Sequence, residues 1–117
     1  MSPEKPSKSQ EILAYLLSRM HDSPSDNRKF GFPVQTMCRP PLEFNDDVKL
    51  WSETWEEYFK NVMMMGMINK LEKNLRVEDV ESVNMAREVR EHIVPKLLGN
   101  LNNVKPVLIH GDLCEYC

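Results

Sequence analysis

A chain of 117 residues with 28% charged and 41% hydrophobic side chains has the size and composition of about one ordinary globular domain, with room for a modest core. Its net charge of −3, with the basic residues scattered, argues against the phosphate-neutralising stripe on which nucleic-acid binding depends. No run approaches the roughly 18 apolar residues of a membrane span, and three cysteines without a signal-peptide core speak for reduced thiols and a cytoplasmic location rather than a disulfide framework.

Residues 1–8 are rich in Pro, Ser and Lys and are expected to be disordered; residues 9–117 form the folded part. A helix is predicted over 9–21, with Leu13, Leu16, Leu17 and Met20 on one face and Ser7 with Gln10 as a capping box. From Asp22 to about Pro41 the chain is expected to form a long loop, in which the prolines Pro24, Pro33, Pro40 and Pro41 interrupt regular structure. A second helix is predicted to start after the cap candidates Asn45, Asp46 and Asp47. It carries Trp55, Tyr58, Phe59 and Val62 inward and Glu53, Glu56, Glu57 and Lys60 outward. The Glu56 to Lys60 pair is worth only about 0.2–0.5 kcal/mol, so aromatic burial must hold this helix. A third helix is predicted over 78–98, with Val83, Ala86, Val89, Ile93 and Leu97 inward, a kink or restart at Pro95 and a stop at Gly99-Asn100. One short strand over 107–110 completes a mainly α fold of three helices.

Two clusters suggest metals and fall short of them. Met63, Met64, Met65 and Met67 bring thioethers together, yet helical spacing turns them in several directions, as packing residues would be. Cys114 and Cys117 supply half of a zinc site at most; His110 would add one ligand, and the remaining cysteine, Cys38, is far away in the loop. No metal site is expected.

The sharpest signal is His110-Gly111-Asp112 at the end of a β-branched run. Protein kinases place H-R-D at the same spacing, with the Asp accepting the proton of the attacking hydroxyl and an Asn five positions on holding a metal ion. That later position is Cys117 here. Taken alone, the tripeptide also fits a strand followed by a turn. The four glycines Gly31, Gly66, Gly99 and Gly111 are too dispersed for a phosphate-binding loop, so no residue is assigned to cofactor binding.

Four ordered blocks carry a family resemblance: Lys29-Phe30-Gly31-Phe32; Trp51 with Trp55-Glu56-Glu57-Tyr58-Phe59; Pro95-Lys96-Leu97-Leu98; and Lys105-Pro106-x-Leu108-Ile109-His110-Gly111-Asp112-Leu113. In order and spacing they resemble the middle of the fructosamine/ketosamine (protein-ribulosamine) 3-kinase family. The resemblance implies part of the C-lobe of a fold similar to aminoglycoside phosphotransferases and protein kinases. It also implies ATP and magnesium as cofactors, and the sugar of a glycated protein or ketosamine as substrate. Asp112 matches the catalytic base, and His110 and Gly111 match residues that shape its loop.

Where the family continues Trp-x-x-Asn after His-Gly-Asp-Leu, this chain reads Cys114-Glu115-Tyr116-Cys117, and the nucleotide lobe expected before Glu11 is not found. The expectation is therefore a partial helical lobe, catalytically incomplete by itself, that binds neither ATP nor magnesium tightly and self-associates through exposed apolar surface. The rival reading is a small non-enzymatic helical module that binds a protein partner through such a surface.

Overall fold

Ser7 starts the first helix as its spacing from Gln10 requires. The Gln10 N–H donates to Ser7 Oγ at 3.3 Å and the Ser7 N–H donates to Gln10 Oε1 at 2.8 Å, so two of the amides left unpaired at a helix start are satisfied. The structure, a computed structural model, describes residues 4–34 and 50–113. It divides into two compact units, Met1–Arg28 with Lys105–Cys117, and Lys29–Val104.

In the first unit the helix runs Lys8–His21. Its C-terminal carbonyls are used at once: the Asp22 N–H donates to Ser18 and the Ser23 N–H to Met20, each at 3.0 Å. Leu17 and Met20 are half-buried, whereas Leu13 and Leu16 are 48% and 57% exposed, so the expected apolar face is covered only at its C-terminal end. The strand expected over 107–110 is reduced to a single antiparallel bridge between Pro24 and Val107. Its two bonds run from the Ser25 N–H to the Pro106 carbonyl (3.0 Å) and from the Leu108 N–H to the Ser23 carbonyl (2.9 Å). The ladder cannot lengthen, because Pro24 and Pro106 have no N–H to give and Asp22 already has helical dihedrals.

The second unit begins with a two-stranded antiparallel ladder, β1 (Phe30–Gly31) on β2 (Trp51–Ser52), with Phe30 opposite Ser52 and Gly31 opposite Trp51. Gly31 has φ +134°, and a Cβ there would lie 2.0 Å from the Leu50 carbonyl oxygen, so both conformation and space demand glycine. The second helix starts later than predicted. Its cap is Thr54, whose Oγ1 accepts the Glu57 N–H at 3.1 Å while Glu57 Oε2 accepts the Glu53 N–H at 3.2 Å. The expected caps Asn45, Asp46 and Asp47 lie outside the described residues, and Trp51 and Ser52, expected inside the helix, form β2 instead. The helix proceeds through Trp55–Tyr58, a π segment Phe59–Met64, and Met65–Lys73.

Val62 is buried and Trp55, Tyr58 and Phe59 are half-buried, as the spacing predicts. Trp55 is the centre of the aromatic group, with ring centroids 5.9 Å from Phe30, 5.8 Å from Tyr58 and 6.1 Å from Phe59. Such offset and tilted pairs add about 0.5–1.5 kcal/mol each beyond burial.

The third helix opens with a tight turn, Val77–Asp79, and continues as Val80–Glu88, a π segment Val89–Ile93 and Val94–Leu98. Val83 is buried and Ala86 half-buried, as expected, but the predicted inward residues Val89, Ile93 and Leu97 are exposed. Their places are taken by Arg90, Val94 and Leu98, each one position later. Arg90 and Val94 follow from Val83 at 3.6 residues per turn, a count that the expected set ran slightly ahead of. Pro95, which lacks an N–H and whose ring would strike the carbonyl of Glu91 in a regular helix, is preceded by the π segment, and beyond it Leu98 rather than Leu97 is the covered residue. Gly99 then ends the helix.

Ile68, 1% exposed, is the most deeply buried large side chain, with Phe30, Val62, Met64, Val83 and Val94 around it in the buried set. Between the helices Arg90 reaches back, donating from Nε to the Lys60 carbonyl and from Nη2 to Asn61 Oδ1, both at 2.9 Å. Lys60, expected beside Glu56, lies 3.5 Å from Glu91, and Arg87 pairs with Glu72.

Hydrogen bonds from a charged donor are worth about 1.5–3 kcal/mol and exposed ion pairs at most about 1. Arg90→Ala is therefore expected to lower the unfolding free energy of this unit by about 2–3 kcal/mol, and Arg87→Ala by less than about 1, measured by urea titration. Gly31→Ala is expected to destabilise by about 3 kcal/mol, the upper range for a strained backbone. An unchanged urea midpoint for Gly31→Ala would show that β1 and Leu50 separate freely.

Candidate functional site

Asp112 and His110 fall in the first unit, and both are exposed. The bridge at Pro24 and Val107 fixes the strand that leads into them. Gly111 then turns the chain with φ +80°, a left-handed conformation that costs other L-residues about 1–2 kcal/mol. The turn lets the Asp112 N–H donate to His110 Nδ1 at 3.2 Å, a side-chain-to-backbone closure two residues long. His110 thus accepts through Nδ1.

A residue that sequence reading missed stands behind the loop. The His110 N–H donates to Nε2 of His21, the last residue of the first helix, at 3.3 Å. The two are 89 positions apart, and only the pairing register of Pro24 with Val107, itself invisible in the sequence, brings them together. The loop is thus held from both sides of Gly111 by imidazoles, each acting as acceptor for a backbone amide. What this arrangement supplies chemically is an exposed carboxylate on a backbone with fixed direction, suited to take a proton from a hydroxyl brought to it.

The other blocks singled out in the sequence belong to the second unit and act structurally. Phe30 is buried, Gly31 admits the Leu50 carbonyl, Trp55 gathers the aromatic rings and Pro95 sets the π turn. A cavity of about 130 Å³ lies in that unit, lined by Phe30, Trp55, Glu53, Glu56, Leu98 and Gly99 among others. Met64 is buried, Met63 and Met65 are half-buried and Met67 is 46% exposed, which fits packing in several directions. Cys38, Cys114 and Cys117 lie outside the described residues.

Among the described residues no group of three or more His, Cys, Asp or Glu side chains stands close enough to hold a metal ion. Asp112 has two imidazole nitrogens nearby in sequence or space, but both are engaged as acceptors from amides, and hard cations such as magnesium favour oxygen. The described residues therefore do not fit a magnesium-triphosphate site.

The family model for fructosamine kinase matches residues 2–115, nearly the whole chain. No curated protein and no solved structure matches it.

Nothing lies within 4 Å of the place a Cβ on Gly111 would take, so a substitution there tests conformation alone. Gly111→Ala is expected to accelerate exchange of the Asp112 amide by about tenfold, the equivalent of a left-handed penalty of about 1–2 kcal/mol. An exchange rate equal to wild type would show that the loop accepts a side chain without strain.

Proposed function

The chain belongs to the fructosamine kinase family, and from that premise we propose that its His110-Gly111-Asp112 loop serves ATP-dependent phosphorylation of the sugar on glycated proteins, in the cytoplasm. The observation that supports the reading most is the local geometry of the loop. Gly111 at φ +80° and the bond from the Asp112 N–H to His110 Nδ1 fix the backbone that carries the Asp112 carboxylate, the residue that by resemblance matches the family's base. Asp112 takes the proton of the acceptor hydroxyl, and His110 shapes the loop that carries it. General-base help of this kind is worth typically about 10²–10⁴-fold.

The rest of phosphoryl transfer consists of orienting a triphosphate and neutralising its charge. Among the described residues no group for either task can be assigned. The chain by itself is therefore proposed not to transfer phosphate. A mainly helical architecture with two short antiparallel strands agrees with part of the C-lobe of a kinase-like fold. Among the described residues no helix is long and apolar enough to cross a membrane.

A second reading, a non-enzymatic module that works by association, draws support from Ile12, Leu13, Leu16, Ile109 and Leu113, which are between 48% and 59% exposed. Apolar surface left open in this way binds environment-sensitive dyes and drives self-association. The incomplete lobe is expected to show a sedimentation mass that rises with concentration, whereas a module that closes its own core is expected to unfold in one sharp thermal transition. A single monomeric species over a hundredfold range that unfolds cooperatively would favour the module.

The catalytic proposal is tested by incubating the chain with radiolabelled ATP, magnesium and a ribulosamine- or fructosamine-bearing protein, alongside Asp112→Ala. No label above background is expected with either protein. Label transferred by wild type and lost in Asp112→Ala would establish the base and overturn the proposed insufficiency; label retained in Asp112→Ala would overturn the role of Asp112.

A further inference from the structure

The Pro24–Val107 bridge defines an antiparallel register. Counting outward from it, Ser23 meets Leu108 through a backbone bond at 2.9 Å, and three positions out on each side His21 faces His110. A regular ladder would continue there with backbone carbonyls as acceptors. It does not, because the chain on the Pro24 side has already entered the first helix, which ends at His21 with Asp22 still in helical dihedrals and the Asp22 and Ser23 amides turned back to the Ser18 and Met20 carbonyls. The His110 N–H would be left without a partner in the ladder, and the His21 imidazole fills the position, its Nε2 accepting at 3.3 Å.

We propose that His21 is a positioning residue for the Asp112 loop, acting as a side-chain substitute for the missing backbone acceptor. The inference rests on the reading of Asp112 as the base for its purpose, though not for its geometry. A relay of two bonds results: His21 Nε2 holds the His110 amide, and His110 Nδ1 holds the Asp112 amide. Each fixes one side of Gly111, the most freely rotating residue of the loop. A simpler role for a histidine in the last turn of a helix is that of a cation interacting with the helix dipole. That role calls for a protonated ring, whereas a ring facing an N–H donor must keep a lone pair on that nitrogen. Arg19 already places a cation in the same turn, with its guanidinium on the Tyr15 ring and hydroxyl.

The decisive measurement needs no turnover, so it stands apart from the success or failure of the phosphotransfer assay. In the full chain labelled with ¹⁵N at about pH 8, where an ordinary imidazole is neutral, long-range imidazole correlations report which nitrogen carries hydrogen. His21 is expected as the Nδ1–H form with a bare Nε2. His21→Ala is expected to speed exchange of the His110 amide about fivefold, the worth of one net hydrogen bond, and that of Asp112 to a lesser degree. The Ser25 and Leu108 amides of the bridge keep their wild-type rates. His21→Gln, whose amide oxygen reaches the same place, is expected to restore the His110 rate. An Nε2–H form of His21 in the wild type overturns the proposal whether or not the alanine variant folds. So does an equal acceleration at Ser25 and Leu108, which would mark His21 as a general support of the unit, or a His110 rate untouched by His21→Ala.

Discussion

One guanidinium joins two irregular helical turns in the Lys29–Val104 unit. Arg90 stands in the π segment of the third helix and donates to the Lys60 carbonyl and the Asn61 side chain, both in the π segment of the second. A π turn widens the helix and directs backbone carbonyls away from their usual partners, which makes it costly unless something compensates. Here a charge-assisted donor from one irregular turn meets an acceptor in the other. With Arg90 turned toward the second helix, Val94 enters the core and Leu98 comes under partial cover, while Ile93 and Leu97 face solvent.

The third helix shows where periodicity succeeded and where it stopped. Val83 and Ala86 fall inward as their spacing demands. Beyond them the expected stripe runs one position early, because two successive steps of three residues, Val83 to Ala86 to Val89, fall short of two helical turns, and Arg90 and Val94 keep the 3.6-residue count instead. Pro95 gave warning of a disturbance, and its ring chemistry says why one must occur, but a kink, a restart and a π turn all satisfy that chemistry. The second helix shows the complementary limit. Its aromatic stripe was legible from Trp55 to Val62, while its beginning was not, since β2 has only two residues and a period of two cannot be read from a single repeat. Caps are local and were readable where the element itself was: Ser7 with Gln10 forms the box its spacing announced.

The candidate site divides in the same way. His110 and Asp112 could be found because their spacing is a local property, and the left-handed turn at Gly111 agrees with the residue the sequence supplies. His21 belongs to the site only through strand pairing between segments more than 80 positions apart, and no composition or period encodes such a pairing. Its one trace in the sequence is a helix that ends three residues before a proline. Family membership, by contrast, is distributed over blocks whose individual residues prove to be mostly structural. Phe30, Gly31, Trp55 and Pro95 shape the Lys29–Val104 unit, whereas the candidate residues His110 and Asp112 lie in the other, so the blocks that mark the family and the candidate site draw on different parts of the chain.

The two prolines of the small bridge bear on how copies of this chain can meet. A bare strand is a template, since its unpaired amides invite a neighbour to extend the ladder and, repeated, build a fibre. At this bridge the invitation is mostly withdrawn. Pro24 and Pro106 have no amide to offer, and the amides of Ser25 and Leu108 are spent on the bridge itself. Strand addition is thereby disfavoured at this bridge, while the apolar face of the first helix beside it stays only partly covered.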